Sequence, residues 1–218
     1  MPVAYVINTH VHPDHVLGNA AFIGEGTSFV GHTKLPVRLA EAGPFYLRSM
    51  EHLLGPSFAG TELVPPTFLV ADRQELELGG RRLELRAWPT AHSDTDLTVL
   101  DQGTRTLFAG DLLFMERIPV VDGSLNGWIT VMEELAATPA ERVVPGHGPA
   151  TAPWPQALEP QRAYLTSLRD SIRQELARNR TLEEAVRDVP VPAGQHWLLA
   201  GQNHGRNVTA GFTELEWE

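Results

Sequence analysis

Short apolar runs alternate with longer amphipathic stretches along the first 150 residues. Residues 3–8 form an almost continuous apolar run, and residues 82–86 alternate polar and apolar side chains with a period of two, as in a half-buried strand. Gln102-Gly103 separates two further apolar runs and predicts a hairpin turn. The predicted strands cover residues 3–8, 28–31, 67–71, 75–78, 82–88, 96–100, 104–109 and 143–144. The predicted helices cover residues 34–54, with an interruption at Gly43-Pro44, and residues 126–137. This alternation indicates an α/β fold.

The last third of the chain has helical periodicity. Residues 156–178 carry apolar side chains at a spacing of three to four, which predicts an amphipathic helix. Thr181 and Glu184 have the spacing of a capping box and predict the start of a second, short helix. Residues 197–218 are predicted to be irregular. We therefore divide the chain into a main domain, residues 1–152, and a helical extension, residues 153–218, packed on the same domain.

The composition narrows the class of protein. The chain has 218 residues, of which 42% are hydrophobic, as in a globular protein. Its 17 Lys and Arg against 27 Asp and Glu give a net charge of -10, so we expect no nucleic-acid partner. No apolar run approaches the ~20 residues that span a bilayer. The absence of cysteine excludes disulfides and zinc–thiolate sites, whereas nine histidines are many for this length.

The strongest chemical signal is the segment His10-Val11-His12-Pro13-Asp14-His15, directly after the first predicted strand. His10 and His12, two residues apart in an extended segment, project to one side of the chain. Pro13 bends the chain, so Asp14 and His15 can face a second point. Imidazole and carboxylate groups suit Zn²⁺, with iron or manganese as alternatives. The pattern therefore predicts a metal site.

Three further residues follow predicted strands, beside small or turn-forming residues. They are His92, Asp111 after Gly110, and His147 in Gly146-His147-Gly148. The carboxyl ends of strands are where α/β folds place their ligands. We expect these three side chains to join the His10–His15 segment.

This ordered series resembles the motif series of the metallo-β-lactamase fold superfamily. The resemblance covers most of residues 1–150 and implies an αββα sandwich, here shortened at its N-terminus and followed by the C-terminal helical extension. Residues 116–119, 122–128, 203–208 and 214–217 resemble one branch, the quinoprotein relay system zinc metallohydrolases and the related sulfur-oxidation-associated hydrolases.

The resemblance implies a dinuclear zinc hydrolase. His10, His12 and His92 would hold the first Zn²⁺, Asp14, His15 and His147 the second, and Asp111 would bridge the two. Bound metal lowers the pKa of water, so hydroxide is available to attack an ester, thioester, amide or phosphoester near neutral pH. Asp14 would orient this hydroxide. Because the metal charges exceed those of the two aspartates and the hydroxide, we expect an anionic or carbonyl-bearing small-molecule substrate.

Two positions refine this hypothesis. Histidine at position 12, where a di-iron flavoprotein branch carries glutamate, favours zinc hydrolysis. Aspartate at position 111, where true β-lactamases carry Cys or Ser, resembles the glyoxalase II side of the superfamily. Two alternatives stay open: a mononuclear iron persulfide dioxygenase using His10, His92 and Asp111, or a non-catalytic metal-binding partner in a periplasmic quinoprotein system.

The remaining expectations concern the start of the chain and the rim of the site. Only nine residues precede His10, whereas the family resemblance implies several earlier strands. We expect an open sheet edge, explained by a mis-called start, a fragment or a partner chain that completes the sheet. The compartment is unknown: cytoplasmic as the chain stands, periplasmic if an upstream signal segment has been lost.

Four further side chains receive weaker interpretations. Arg117 and His204 are candidates for substrate binding, with a loop salt bridge and a turn as their respective alternatives. His32 is predicted to be a surface or capping residue, and Trp128 a helix residue of the core.

Overall fold

The computed structural model describes residues 2–24, 26–193 and 196–218. Two β-sheets form its centre. The first contains three parallel strands in the order β1-β2-β3, namely Tyr5–Ile7, Ser28–His32 and Phe68–Val70. The second contains six strands in chain order, namely β4 Arg73–Glu77, β5 Arg82–Ala87, β6 Leu97–Asp101, β7 Thr106–Phe114, β8 Arg142–His147 and β9 Ala152–Pro153. Among the described strands of this second sheet, β7 and β8 are parallel and all other neighbours are antiparallel.

Helices cover the outer faces of both sheets. Their bounds are α1 Pro13–Val16, α2 Leu35–Leu54, α3 Leu125–Ala136, α4 Glu159–Ala177, α5 Leu182–Asp188 and α6 Ala200–Leu215. Short 3-10 turns lie at Asn19–Phe22, Gly55–Phe58 and Gln156–Leu158. Among the described residues, no helix combines the length and apolarity that a membrane span requires.

Three groups of buried side chains hold these layers together. The largest packs α3, α4 and α6 against the six-stranded sheet and includes the fully buried Trp128 and Tyr164. A second group, including Val30 and Leu85, lies between the two sheets. A third joins α1 to α2 through Val16. The predicted αββα sandwich with C-terminal helices is therefore confirmed, as is the core position of Trp128.

The helices after residue 153 share the largest group of buried side chains with the six-stranded sheet. The division at residues 152 and 153 stays a prediction.

Two secondary-structure predictions were wrong. Helix α2 runs without a break through Pro44, because this proline is exposed while the neighbouring Gly43 packs closely against Leu63. Residues 197–218 are not irregular: helix α6 occupies most of this segment. Its glycines and asparagines have low helix propensity, but Val208, Phe212 and Leu215 recur on one face and are buried, so tertiary packing outweighs propensity.

Candidate metal centre

The His10–His15 segment lies where β1 ends and the chain turns into α1. Pro13 occupies the first turn of α1, where its missing N–H leaves no hydrogen bond unmade. Asn8 fixes this turn, since its Nδ2 donates to the carbonyl of His15 at 2.9 Å. His10 and His12 precede the helix in a bend of the chain, with His12 itself extended at the N-cap, while Asp14 and His15 lie within the single turn of α1.

The His92 loop, between β5 and β6, is fastened to the first loop. Thr95 Oγ1 accepts a hydrogen bond from the backbone N–H of Val11 at 3.1 Å. Within the loop, Ser93 donates from its Oγ to Asp96 at 2.6 Å and from its backbone N–H at 2.9 Å. These contacts place His92 beside the side chains of His10 and His12.

Asp111 and His147 come from the neighbouring parallel strands β7 and β8. The register between these strands shifts on both sides of Gly110, which has a φ of 53°. This irregularity turns Asp111 toward the two histidine loops. Gly146 packs closely against Asp111, so that any side chain at position 146 would overlap Oδ1 of Asp111.

Seven side chains converge here in two groups. In the first ligand group, Nδ1 of His12 lies 3.0 Å from Nε2 of His10 and 2.9 Å from Nε2 of His92. Asp111 Oδ2 completes this group, 3.6 Å from His10 Nε2 and 3.5 Å from His92 Nε2. The ligand atoms of the group all lie within 4.8 Å of one another.

The second ligand group consists of Asp14, His15 and His147. Asp14 Oδ2 lies 3.5 Å from His15 Nε2 and 3.4 Å from His147 Nε2. Asp111 also reaches this group, with Oδ1 3.2 Å from His15 Nε2 and Oδ2 3.3 Å from His147 Nε2. Asp111 thus lies between the two groups, as a bridging ligand would.

The chemistry of these donors fits bound cations. Asp111 is 4% exposed, and its Oδ1 accepts no hydrogen bond of normal geometry from any described group. A buried carboxylate oxygen that accepts no hydrogen bond is costly unless a cation compensates it. In the first group, the ring nitrogens of His10 and His92 lie about 3 Å from Nδ1 of His12. Lone pairs that face each other at this distance are unfavourable, whereas a cation bound between them would be favourable.

Outer contacts orient the first-group imidazoles. Nδ1 of His92 donates a hydrogen bond to the backbone carbonyl of Val120 at 2.8 Å. The lone pair on Nε2 is therefore available to a metal ion. Nε2 of His12 lies 3.1 Å from Asp122 Oδ2, which leaves its Nδ1 for the cluster. Asp122 and the Val120 carbonyl are functional groups that sequence reasoning missed, because neither belongs to a spacing that predicts a ligand.

The pKa values describe a site that prefers cations. Burial lowers the pKa of His92 to about 4 and that of His10 well below its usual value, so both rings are neutral at pH 7. Burial also acts to lower the pKa of His15, but the carboxylates of Asp111 and Asp14 raise it to about 9. Burial disfavours charge on Asp111 as well, yet the surrounding imidazoles hold the pKa of its carboxyl far below the usual range.

A cleft of about 340 Å³ opens over both ligand groups. Helix α2 contributes an apolar wall of Phe45, Tyr46 and Met50, and Phe114 lies near the ligands. Arg117 lies at the rim, where its Nη1 donates to Nδ1 of His147 at 3.0 Å. The remaining lining residues are His12, Pro13, Asp14, Ser49, His92, Asp111, Val120, Asp122, His147 and Arg206.

Two predictions about histidines need correction. His204 is not among the residues that line this cleft, nor is it in a turn. It is buried in α6, where its Nδ1 accepts the Tyr164 hydroxyl and its Nε2 donates to the carbonyl of Val189. His32 is buried, so its predicted surface position was wrong, whereas the capping alternative agrees with its Nδ1, which accepts the backbone N–H of Lys34 at the start of α2.

Comparisons with known proteins agree with this architecture. No curated protein matches the chain. Among solved structures, a metallo-beta-lactamase family protein from Thermus thermophilus is similar with a TM-score of 0.67 and 21% identity, covering 99% of this chain and 74% of that one. A metallo-beta-lactamase from Pontibacter korlensis gives a TM-score of 0.61 and 22% identity, covering 76% and 70%.

A third similar structure is much longer than this chain. The stereoselective inverting sec-alkylsulfatase Pisa1 from Pseudomonas sp. gives a TM-score of 0.74 at 14% identity, covering 98% of this chain but 41% of its own. At these identities the structures show a shared fold. The sequence model of the metallo-beta-lactamase superfamily matches residues 1–147, which include all seven converging side chains. The chain therefore belongs to the metallo-beta-lactamase superfamily.

Proposed function

We propose that this chain is a dinuclear zinc hydrolase that activates water against an ester, thioester or related bond of a small molecule. The observation that supports this most directly is the position of Asp111 between two ligand groups, within 3.6 Å of all four surrounding imidazoles. A site for one metal would require only one of these groups.

Each side chain has a definable task in this proposal. His10, His12 and His92 would hold one Zn²⁺, Asp14, His15 and His147 would hold the other, and Asp111 would be shared between them. When bound, the metal ions lower the pKa of water and stabilise negative charge that develops on the substrate. Asp14 is exposed at the cleft and close to the second group, so its carboxylate can orient the attacking water and accept its proton.

The cleft favours a substrate with an anionic or carbonyl group and an apolar portion. Arg117 is exposed and has no carboxylate partner within ion-pair distance among the described residues, so its charge is available to a ligand. Its present bond uses the lone pair on Nδ1 of His147. A metal bound to Nε2 of a neutral His147 would leave the proton on Nδ1. This N–H would then face the N–H of Arg117, and because two donors repel each other, metal binding would release Arg117 toward the cleft. Phe45 and Met50 offer apolar surface to the rest of the substrate.

Metal analysis and hydrolysis assays test this proposal together. We expect the purified chain to bind two zinc ions and to cleave at least one member of a panel of thioesters, lactones and phosphodiesters. Chelation should abolish turnover and zinc should restore it. Asp111→Ala or His92→Ala should also abolish turnover while leaving the far-UV circular dichroism nearly intact.

The same measurements distinguish the alternatives. One iron per chain with oxygen consumption would indicate the persulfide dioxygenase reaction. Bound metal without cleavage of any panel member would indicate a non-catalytic partner of a quinoprotein system. Retained turnover in either alanine variant would contradict the ligand assignment.

A further inference from the structure

The loop between β7 and α3, residues 115–124, touches two members of the first ligand group. The carbonyl of Val120 accepts from Nδ1 of His92, and Asp122 lies against Nε2 of His12. The orientation of both imidazoles therefore depends on where this loop lies. What fixes the loop is thus part of what fixes the first ligand group.

Helix α6 holds this loop through one amide side chain. Asn207 is 0% exposed. Its Oδ1 accepts the backbone N–H of Val121 at 3.0 Å, and its Nδ2 donates to the carbonyl of Pro119 at 2.6 Å. These two backbone groups flank Val120 on either side. A single side chain therefore determines the direction of the Val120 carbonyl that binds His92.

A chain of hydrogen bonds fixes the orientation of the amide itself. The Val189 carbonyl can only accept, so Nε2 of His204 carries the proton and donates to it at 3.0 Å. Nδ1 of His204 must then accept the Tyr164 hydroxyl at 3.0 Å, and the phenolic oxygen is left to accept the second Nδ2 proton of Asn207 at 2.9 Å. A flipped amide would place donor against donor at Val121.

We propose that Asn207 is a positioning residue of the metal centre: it sets the tautomer and direction of His92 through the Val120 carbonyl. The inference rests on the proposed dinuclear centre. Asn207 lies outside residues 1–147, so the C-terminal extension would supply part of the support for ligands in the main domain. His204 and Tyr164 would act through Asn207 and not on the substrate.

The variant Asn207→Leu keeps the branched shape of the side chain but removes all three hydrogen bonds. We expect it to bind the first zinc about 10- to 100-fold more weakly, the usual effect of losing an outer-shell partner. The second zinc should bind as before. Competition with a chromophoric chelator measures the two affinities, and the visible spectrum of the cobalt-substituted protein should change for one site only.

Two controls separate positioning from stability. Phe212→Ala removes a buried side chain from the same helix and should lower the melting temperature without changing the first-site affinity. Asn203→Ala removes an amide whose side chain bonds only the carbonyl of Leu199 among the described contacts, and should change neither quantity. If Asn207→Leu does not fold, Tyr164→Phe replaces it as the test. This variant removes one hydroxyl from the hydrogen-bond chain that ends at Asn207 and should weaken zinc binding at the first site alone.

Failure of this inference is distinct from failure of the proposed function. Parent protein that binds no metal, or one ion, would overturn the dinuclear centre. The role of Asn207 is tested only if the parent binds two zinc ions. It would then be overturned by a folded Asn207→Leu or Tyr164→Phe variant that binds both ions with unchanged affinity, or that loses both equally.

Discussion

At the scale of single residues, the site consists of seven candidate ligands and of the groups that contact them. Four of the converging side chains stand out by their spacing in residues 10–15 and three by their place after predicted strands, whereas the groups that contact them have no such signal. Asp122, the Val120 carbonyl and Asn207 reach the site through tertiary contacts, at least 28 residues away along the chain from the imidazoles that they support. Their roles follow from distances and donor–acceptor complementarity.

Asp122→Ala tests the support of His12. Removing this carboxylate leaves Nε2 of His12 without the acceptor oxygen that lies 3.1 Å from it. We expect the first zinc to bind about tenfold more weakly, measured by chelator competition. Asp94→Ala provides the control, since Asp94 borders the adjoining part of the cleft but pairs with Arg38. Equal effects of the two substitutions would contradict a specific role for Asp122.

Arg117→Gln tests the recognition of an anionic substrate. Loss of the cationic group should raise KM about tenfold for an ester that carries a carboxylate, equivalent to ~1.4 kcal/mol. KM for the matched neutral ester should not change. Arg38→Gln, which alters an arginine already paired with Glu41 and Asp94, should leave both values unchanged. A parallel rise of KM for both esters in Arg117→Gln would show that the residue does not read substrate charge.

At the scale of elements, the sequence predicted the strands better than it predicted the last helix. The β6–β7 hairpin follows from the two apolar runs on either side of Gln102-Gly103. His92 lies in the loop after β5 and His147 at the end of β8, as predicted, whereas Asp111 lies inside β7, which continues to Phe114. The register shift at Gly110 that turns Asp111 inward is a property of the β7–β8 pair and cannot be predicted from either strand alone. Helix α6 was missed because its stability comes from packing, not from the propensity of its residues.

The turn between β6 and β7 contains a buried charge that makes stability depend on pH. The Arg81 guanidinium, together with the hydroxyl of Thr104 and two backbone N–H groups, lowers the pKa of Asp101 from 3.8 to about 2 despite burial. Because the folded protein retains this carboxylate to lower pH than the unfolded chain does, its contribution is present above pH 4 and is lost as the pH falls toward 2.

Asp101→Asn should therefore destabilise the protein at pH 7 and not in acid. We expect the free energy of unfolding to fall by about 1–3 kcal/mol at pH 7, from loss of charge-assisted hydrogen bonds. The difference between variant and parent should shrink between pH 4 and pH 3. Urea unfolding of both proteins at each pH measures it. A difference that stays constant or grows in acid would contradict this assignment.

At the scale of the whole molecule, the ligands link otherwise separate parts of the sandwich. The first ligand group joins the end of β1, the His92 loop and β7, and the second adds α1 and β8. A metal that binds only the folded chain therefore connects the three-stranded sheet to the six-stranded one. The stability of the fold and occupancy of the site are expected to be coupled.

Removal of metal should lower the melting temperature of the parent protein. Free zinc at a hundredfold excess over its Kd contributes about 2.7 kcal/mol to the folded state. Calorimetry with and without a chelator measures the change. Asp111→Ala, which lacks the bridging carboxylate, should show a much smaller change on chelation. An equal decrease in both proteins would show that the stabilising metal binds elsewhere.

Anomalous diffraction at the zinc absorption edge, from crystals of the zinc-loaded protein, tests the dinuclear centre most directly. We expect two peaks, one at about 2.0–2.2 Å from the nitrogen ligands of His10, His12 and His92 and one at the same distance from those of His15 and His147. A carboxylate oxygen of Asp111 should lie within bonding distance of both. A single peak, or zinc bound away from Asp111, would contradict the account.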